Sequence, residues 1–273
     1  MSGLVIGLVV GLVYASISVI QAKKRVIKLS QGREIVKKSQ SPQIWNIVEE
    51  VSLASGIPMP KIYIIDSYVP NAFAAGMRQE DAIIGVTQGL IDRLDREEME
   101  GVIAHEFAHI QNNDMVLQTV VVSLVASIAF MSSIRIYRRS SNKSESDNSG
   151  LYLLLAILIM IVGRVVSQLT QLALSRNREY LADATAVDIT RNPEGLKRAL
   201  AKINQAVDSY TEYADGALGF APDGRGYTQE LDDRLGTLFF ANPLKAWSSD
   251  SKDSILSTHP NTYNRIAKLE EMM

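Results

Sequence analysis

Apolar residues concentrate in three long runs, and between them the spacing switches between helical and strand-like periods. The runs are residues 3–20, 115–134 and 151–172, the last interrupted by Arg164. The first two have the roughly 20 residues that a bilayer-spanning helix needs. Lys23, Lys24, Arg25 and Lys28 follow the first run rather than precede it. That flank belongs to a retained anchor with its basic side toward the cytoplasm, not to a cleaved leader. Residues 21–38 hold seven Lys/Arg against the single acid Glu34. They read as a solvated juxtamembrane helix that signals orientation and touches anionic lipid.

The pattern then predicts a helix over "SPQIWNIVEEVSLASG". Ser41 is its N-cap, Pro42 its first residue and Gly56 its stop, and Trp45, Val48, Val51 and Leu53 form its apolar face. "KIYIID", "NAFAAG" and "DAIIGVT" are three short strands of a small sheet. "TQGLIDRL" is a short helix. "DREEMEGVIAHEFAHIQN" is a longer one, with Asp95 as N-cap and Glu98 completing a capping box. Beyond the second run lies the polar loop "RIYRRSSNKSESDNSG". Helices follow at "SRNREYLADATAVDI" and "PEGLKRALAKINQAV"; residues 213–258 read as mostly irregular, and "NTYNRIAKLEEM" closes the chain as a helix.

Composition narrows the chemistry. A net charge of -2 gives no support for nucleic-acid binding. The absence of cysteine removes disulfides, thiolate metal sites and cysteine nucleophiles together. Two of the three histidines, His105 and His109, stand four apart in "GVIAHEFAHIQNND". On a helix they share one face, where two imidazoles can converge on a zinc ion. Glu106 beside them can take a proton from a metal-activated water and return it to a leaving amine, the HExxH arrangement of zinc peptidases. A catalytic zinc needs a third protein ligand. With no cysteine, a carboxylate is the natural candidate. Glu179 and Asp183 in "REYLADA" are also four apart. Glu179 can ligate while Asp183 hydrogen-bonds a ligating histidine from behind, or the pair is an ordinary solvent-facing acidic face.

HEFAH at His105 to His109, followed after a hydrophobic hairpin by EYLAD, resembles the integral-membrane zinc metalloproteases. These comprise the heat-shock protease HtpX and the CAAX prenyl endopeptidases, and order and lengths look most like the HtpX branch. "NAFAAG", "NND", "FFANP" and "HPNTYNRI" extend the resemblance along most of the chain. It implies one zinc ion, Zn2+, per chain, held by His105, His109 and Glu179, with Glu106 as base and Asp183 behind the ligands. It brings His259 forward as an oxyanion donor and Arg265 as a partner of Asp183 or another carboxylate of the site. It also makes Asn71, Ala72, Phe73 and Ala74 an edge strand that pairs with an extended substrate; the same residues fit an ordinary sheet edge. The family typically has two N-terminal membrane helices where one apolar run stands here, which bears on N-terminal topology alone.

Ligands on both sides of the second and third runs must meet on one face of the membrane, so both runs span or neither does. The basic tract at 23–38 places that face in the cytoplasm, although Arg135, Arg138, Arg139 and Lys143 in the intervening loop point the other way. Arg164 needs a protein or water-filled surrounding if its run crosses. The fold expected is α+β, mainly α: a membrane-anchored, gluzincin-like metalloprotease with a small β-sheet and transmembrane helices. Its parts are an anchor at 1–20, a cytosolic part with the HExxH helix at 21–114, a transmembrane hairpin at 115–172 and a second cytosolic part at 173–273. The function expected is zinc-dependent endopeptidase action on membrane or misfolded polypeptides, in the bilayer of a bacterial or archaeal cell. A prenyl-protein processing protease, a structural zinc site and a non-catalytic membrane scaffold are the alternatives.

Overall fold

The computed structural model describes residues 20–121, 176–215 and 262–273. The apolar runs at 3–20 and 151–172, most of the run at 115–134, the polar loop, the irregular stretch and His259 lie outside these residues. No helix among the described residues is long and apolar enough to cross a membrane.

The elements are α1 (Ala22–Ser30), β1 (Arg33–Ile35), α2 (Pro42–Ser55), β2 (Lys61–Ile65), β3 (Ala72–Ala75), β4 (Ile83–Thr87), α3 (Gln88–Ile91), α4 (Arg96–Gln111), α5 (Arg176–Thr190), α6 (Pro193–Asp215) and α7 (Thr262–Glu270). Residues 114–121 are helical as well. The described part is therefore mainly helical with one four-stranded mixed sheet, ordered β1-β2-β4-β3. β2 and β4 run parallel, and β1 and β3 flank them antiparallel.

The strands read as nearly continuous apolar runs because both faces of the sheet are covered. Ile62, Ala72, Ala74, Ile84 and Val86 join the main core with α2, α4 and α6. Tyr63, Ile65, Phe73, Ala75 and Ile83 form a second cluster with Val26 of α1. Helix α1 corrects the reading of residues 21–38 as one solvated helix. Its Ala22, Val26 and Ser30 are buried, a stripe of one residue per turn hidden among lysines. The helix stops where Gln31 turns left-handed (φ 52°), and the chain then enters β1. That strand is a charged edge: Glu34 sits opposite Tyr63 and accepts from its hydroxyl and from Lys61, each at 2.8 Å.

Helix α2 starts at Pro42 and ends at Gly56 (φ 71°) as expected, but Ser41 makes no side-chain cap. Its buried face is Ile44, Ile47, Val48 and Val51, while Leu53 is 79% exposed. Two residues beyond Val51 is about 200° around a helix, so Leu53 points away. The capping box of α4 forms as read: Glu98 N–H donates to Asp95 Oδ1 (3.0 Å) and Asp95 N–H to Glu98 Oε2 (2.9 Å). The buried Glu98 also receives Lys202 Nζ of α6 at 2.6 Å.

Helix α4 is the hub, packing on α2, α5, α6 and β3. Two glycines bring α4 and α6 together. A Cβ on Gly101 would lie 2.8 Å from Leu196 N, and one on Gly195 would lie 2.7 Å from Glu97 O. Alanine gains about 1 kcal/mol of helix propensity over glycine, but forced overpacking costs about 1–3 kcal/mol. Gly101→Ala is therefore expected to lower the unfolding midpoint in urea, and an unchanged or raised midpoint would refute the close approach.

Candidate metal centre

Helix α4 puts His105 and His109 one turn apart on one face, and α5 puts Glu179 and Asp183 one turn apart on another. The two helices pack together, and all four side chains are buried. Three side chains converge, Glu179 through both of its carboxylate oxygens. His105 Nε2 lies 3.1 Å from His109 Nε2 and 3.6 Å from Glu179 Oε2, and His109 Nε2 lies 3.7 Å from Glu179 Oε1. The imidazoles meet edge to face at 87°.

The other nitrogen of each ring is occupied. His105 Nδ1 is 2.9 Å from Asp183 Oδ1, and His109 Nδ1 is 3.3 Å from Asp114 Oδ2. A carboxylate at Nδ1 holds the proton there and turns the Nε2 lone pair outward. Two such lone pairs and a carboxylate oxygen then face one another, an arrangement that calls for positive charge between them. A proton satisfies one pair of the three, whereas a metal ion satisfies all three. Four donors about 2.0–2.1 Å from a tetrahedral zinc stand about 3.3–3.4 Å from each other. The observed triangle brackets that spacing, so His105, His109 and Glu179 form a group that fits a metal ion.

Arg265, carried by α7, completes the site. It is 2% exposed. It grips Asp183 side-on, Nε to Oδ2 at 2.8 Å and Nη2 to Oδ1 at 2.6 Å, with Nη1 3.5 Å from Glu179 Oε2. Burial pushes the Asp183 carboxyl up, but the Arg265 charge and the bonds from His105 and Arg265 bring it down to about 2. Burial and Arg265 press His105 down, yet Asp183 and Glu179 outweigh them and raise it to about 9. A metal ion entering this site at neutral pH therefore displaces a proton.

Of the residues singled out in the sequence, His105, Glu106, His109, Glu179, Asp183 and Arg265 are all buried within this arrangement. Asn71–Ala74 lie on or beside β3, at the sheet edge, and β3 packs on α4. His259 lies outside the described residues. Asp114 and Arg178 were not singled out, yet Arg178 Nη1 donates to Asp114 Oδ1 at 2.6 Å behind His109. Asp114 escapes a periodicity argument because it lies beyond the end of α4. A left-handed turn at Asn113 (φ 58°) separates it from the helix.

Removing the arginine from a buried ion pair leaves an uncompensated carboxylate and costs about 3–5 kcal/mol. Arg265→Gln is expected to lose that much at pH 7. Asp183 sits below its ordinary 3.8 in the folded protein, so its stabilisation is complete above about pH 4 and fades as pH falls toward 2. The stability gap between parent and variant should narrow over that window in denaturant titrations. A gap that stays constant with pH would detach Arg265 from Asp183.

The profile of peptidase family M48 matches residues 38–273. A protease HtpX homolog of Listeria monocytogenes serotype 4a (strain HCC23) is 37% identical over 285 residues, covering 100% of this chain and 87% of the relative. One from Ligilactobacillus salivarius (strain UCC118) is 37% identical over 278 residues, covering 99% and 86%. The crystal structure of S. mikatae Ste24p aligns with a TM-score of 0.47 at 19% identity, over 93% of this chain and 58% of that one, a distance at which the likeness carries no argument. The matched stretch contains the histidine pair, Glu179 and both arginines that brace the site, and with full-length identity to HtpX proteases it makes this chain a member of peptidase family M48.

Proposed function

We propose that this peptidase is a zinc-dependent endopeptidase anchored in a bacterial or archaeal cell membrane, with its site facing the cytoplasm, acting on membrane or misfolded proteins. The observation that carries the reading is the convergence of His105 Nε2, His109 Nε2 and the two Glu179 carboxylate oxygens, with contacts of 3.1–3.7 Å. A bound zinc would polarise a scissile carbonyl and bring the pKa of water down to about 7. Glu106, next to the first ligand and 4% exposed, accepts the proton of the attacking water and delivers it to the departing amine. Asp183 keeps the Nδ1 proton of His105 in place, which turns its Nε2 toward the ion. His259 supplies an N–H to the oxygen that becomes negative.

The edge strand suits a substrate role. Thr87 N–H donates to Asn71 O at 2.9 Å, and the register places Ala72 opposite Val86. In an antiparallel ladder the bonded pairs alternate, so the N–H and C=O of Ala72 and Ala74 point away from β4. Ala72 and Ala74 are only 0–1% exposed, so these groups can pair with an extended peptide, reading little of its sequence, once they are uncovered. The anchor at 1–20, a spanning hairpin at 115–172 and cytosolic parts at 21–114 and 173–273 complete the reading, as does the gluzincin-like arrangement of the site.

The direct test is cleavage of an unfolded model protein by detergent-purified enzyme. Glu106→Gln should lose about 10²–10⁴ in rate while keeping one zinc per chain, and Glu179→Ala should lose the zinc. Full zinc in a folded Glu179→Ala protein would overturn the ligand set. His259→Ala should keep its zinc and lower kcat by about 10²–10³ with little change in KM; an unchanged kcat would remove His259 from the site.

Membrane topology is checked separately. The chain has no native cysteine, so single cysteines at Ser146 and Ser209 report without background. Labelling from opposite sides is expected, with Ser209 reached from the cytoplasm, and same-side labelling would reject the hairpin.

A further inference from the structure

The metal-site reading assigns no role to Asp114 or Arg178, yet the two stand in a defined place. Helix α4 ends at Gln111, and Asn113 adopts a left-handed conformation (φ 58°) that asparagine tolerates better than most residues. Asp114, 5% exposed, then lies behind His109, with Oδ2 3.3 Å from Nδ1. Its other oxygen accepts from Arg178 Nη1 at 2.6 Å. The chain His109–Asp114–Arg178 therefore repeats the order imidazole, carboxylate, guanidinium of His105–Asp183–Arg265. The two braces differ in one respect. Arg265 is buried, whereas the Arg178 side chain is 35% exposed. Arg178 also immediately precedes Glu179, so one turn of α5 carries both a ligand and the residue that fixes the carboxylate behind another ligand.

We propose that Asp114 and Arg178 are positioning residues for the metal: Asp114 sets the tautomer and ring plane of His109, and Arg178 holds Asp114 in register with Glu179. The pair acts through His109 and touches no substrate. A carboxylate on Nδ1 raises the basicity of Nε2 and prepays the orientation of the ring, and removing such a partner typically weakens metal binding about 10–100-fold. Arg178 reaches the site from a partly solvated position, but Asp114 is buried, so loss of Arg178 changes the geometry of Asp114 and also lowers the stability of the metal-free fold.

The inference rests on the metal-site reading, and the experiment separates the two. Full-length protein in detergent is stripped of metal and titrated with zinc against a chelator of known affinity. The unfolding midpoint of each metal-free form is measured alongside. Parent protein that takes up no zinc would sink the metal-site reading itself. If the parent binds one zinc, Asp114→Asn and Arg178→Met should each weaken zinc binding by the folded fraction about 10–100-fold, and Arg178→Met should also lower the metal-free midpoint by leaving Asp114 unpaired. The double variant should lose little more than Asp114→Asn alone, because the two residues act in series. Undiminished zinc affinity in either folded single variant would overturn the proposal and leave the reading intact. A metal-free midpoint that falls while the affinity of the folded fraction stays unchanged would also overturn it, by making the pair a purely structural bridge.

Discussion

The site answers to one electrostatic demand: two imidazole nitrogens and a carboxylate group are held within 3.1–3.7 Å contacts in a buried place. Lone pairs so close repel unless positive charge lies between them, and burial removes the water that would screen the repulsion. Helix packing must supply the force that holds them. Helix α4 is gripped by α2, α5, α6 and β3, and its buried residues from Met99 to Ile110 are apolar except for His105, Glu106 and His109. The close approach at Gly101 and Gly195 fixes α4 against α6. With α4 immobile, the spacing of four on each of two packed helices is enough to line up the ligands. The site is thus built on rigid elements, and its precision comes from core packing.

The charges around the triangle point to the kind of ion it suits. Among the described residues, Glu106, Asp114, Glu179 and Asp183 are buried carboxylates of the site, set against the guanidiniums of Arg178 and Arg265. With His105 neutral, two negative charges remain in excess, which is the charge a divalent cation carries. The arginines are not spread evenly. Each is bonded to a carboxylate behind a histidine, and Arg265 also approaches Glu179 at 3.5 Å. Guanidinium suits this duty because it stays charged and its planar fork fixes a carboxylate in orientation as well as in place.

How much of this was legible depends on sequence distance. His105, His109, Glu179 and Asp183 could be read because helical periodicity places residues four apart on one face, and the family resemblance joined the two pairs. The capping box at Asp95 and Glu98 was legible for the same reason: its chemistry is local. The basic tract misled because seven cationic side chains outweigh Val26 in any average, although Val26 alone decides which way α1 faces. Leu53 was placed on the wrong face because an apolar residue near a helix end looks like core until the angle is counted. Strand β1 is three residues long and two of them are charged, so only its pairing with β2 identifies it. Asp114 needed a backbone turn at Asn113 that no period describes.

Arg265 belongs to a different category, because its role depends on a contact 160 residues away from His105. Nothing local to "HPNTYNRI" specifies that a guanidinium should be buried, and an isolated α7 would keep it in water. Burial becomes favourable only when Asp183 is already positioned to receive two of its N–H groups and α6 and α5 offer a surface on which the helix can lie. Lys268 adds a second hold, with Nζ 3.6 Å from the centre of the Tyr180 ring, next to Glu179. The last helix therefore docks onto the very turns of α5 that carry Glu179 and Asp183. Its binding free energy and the geometry of the ligand set are linked: what orders α5 favours α7, and α7 in turn sharpens the position of Asp183 against His105. A site assembled from two neighbouring helices is in this way made conditional on the C-terminal end of the chain being in place.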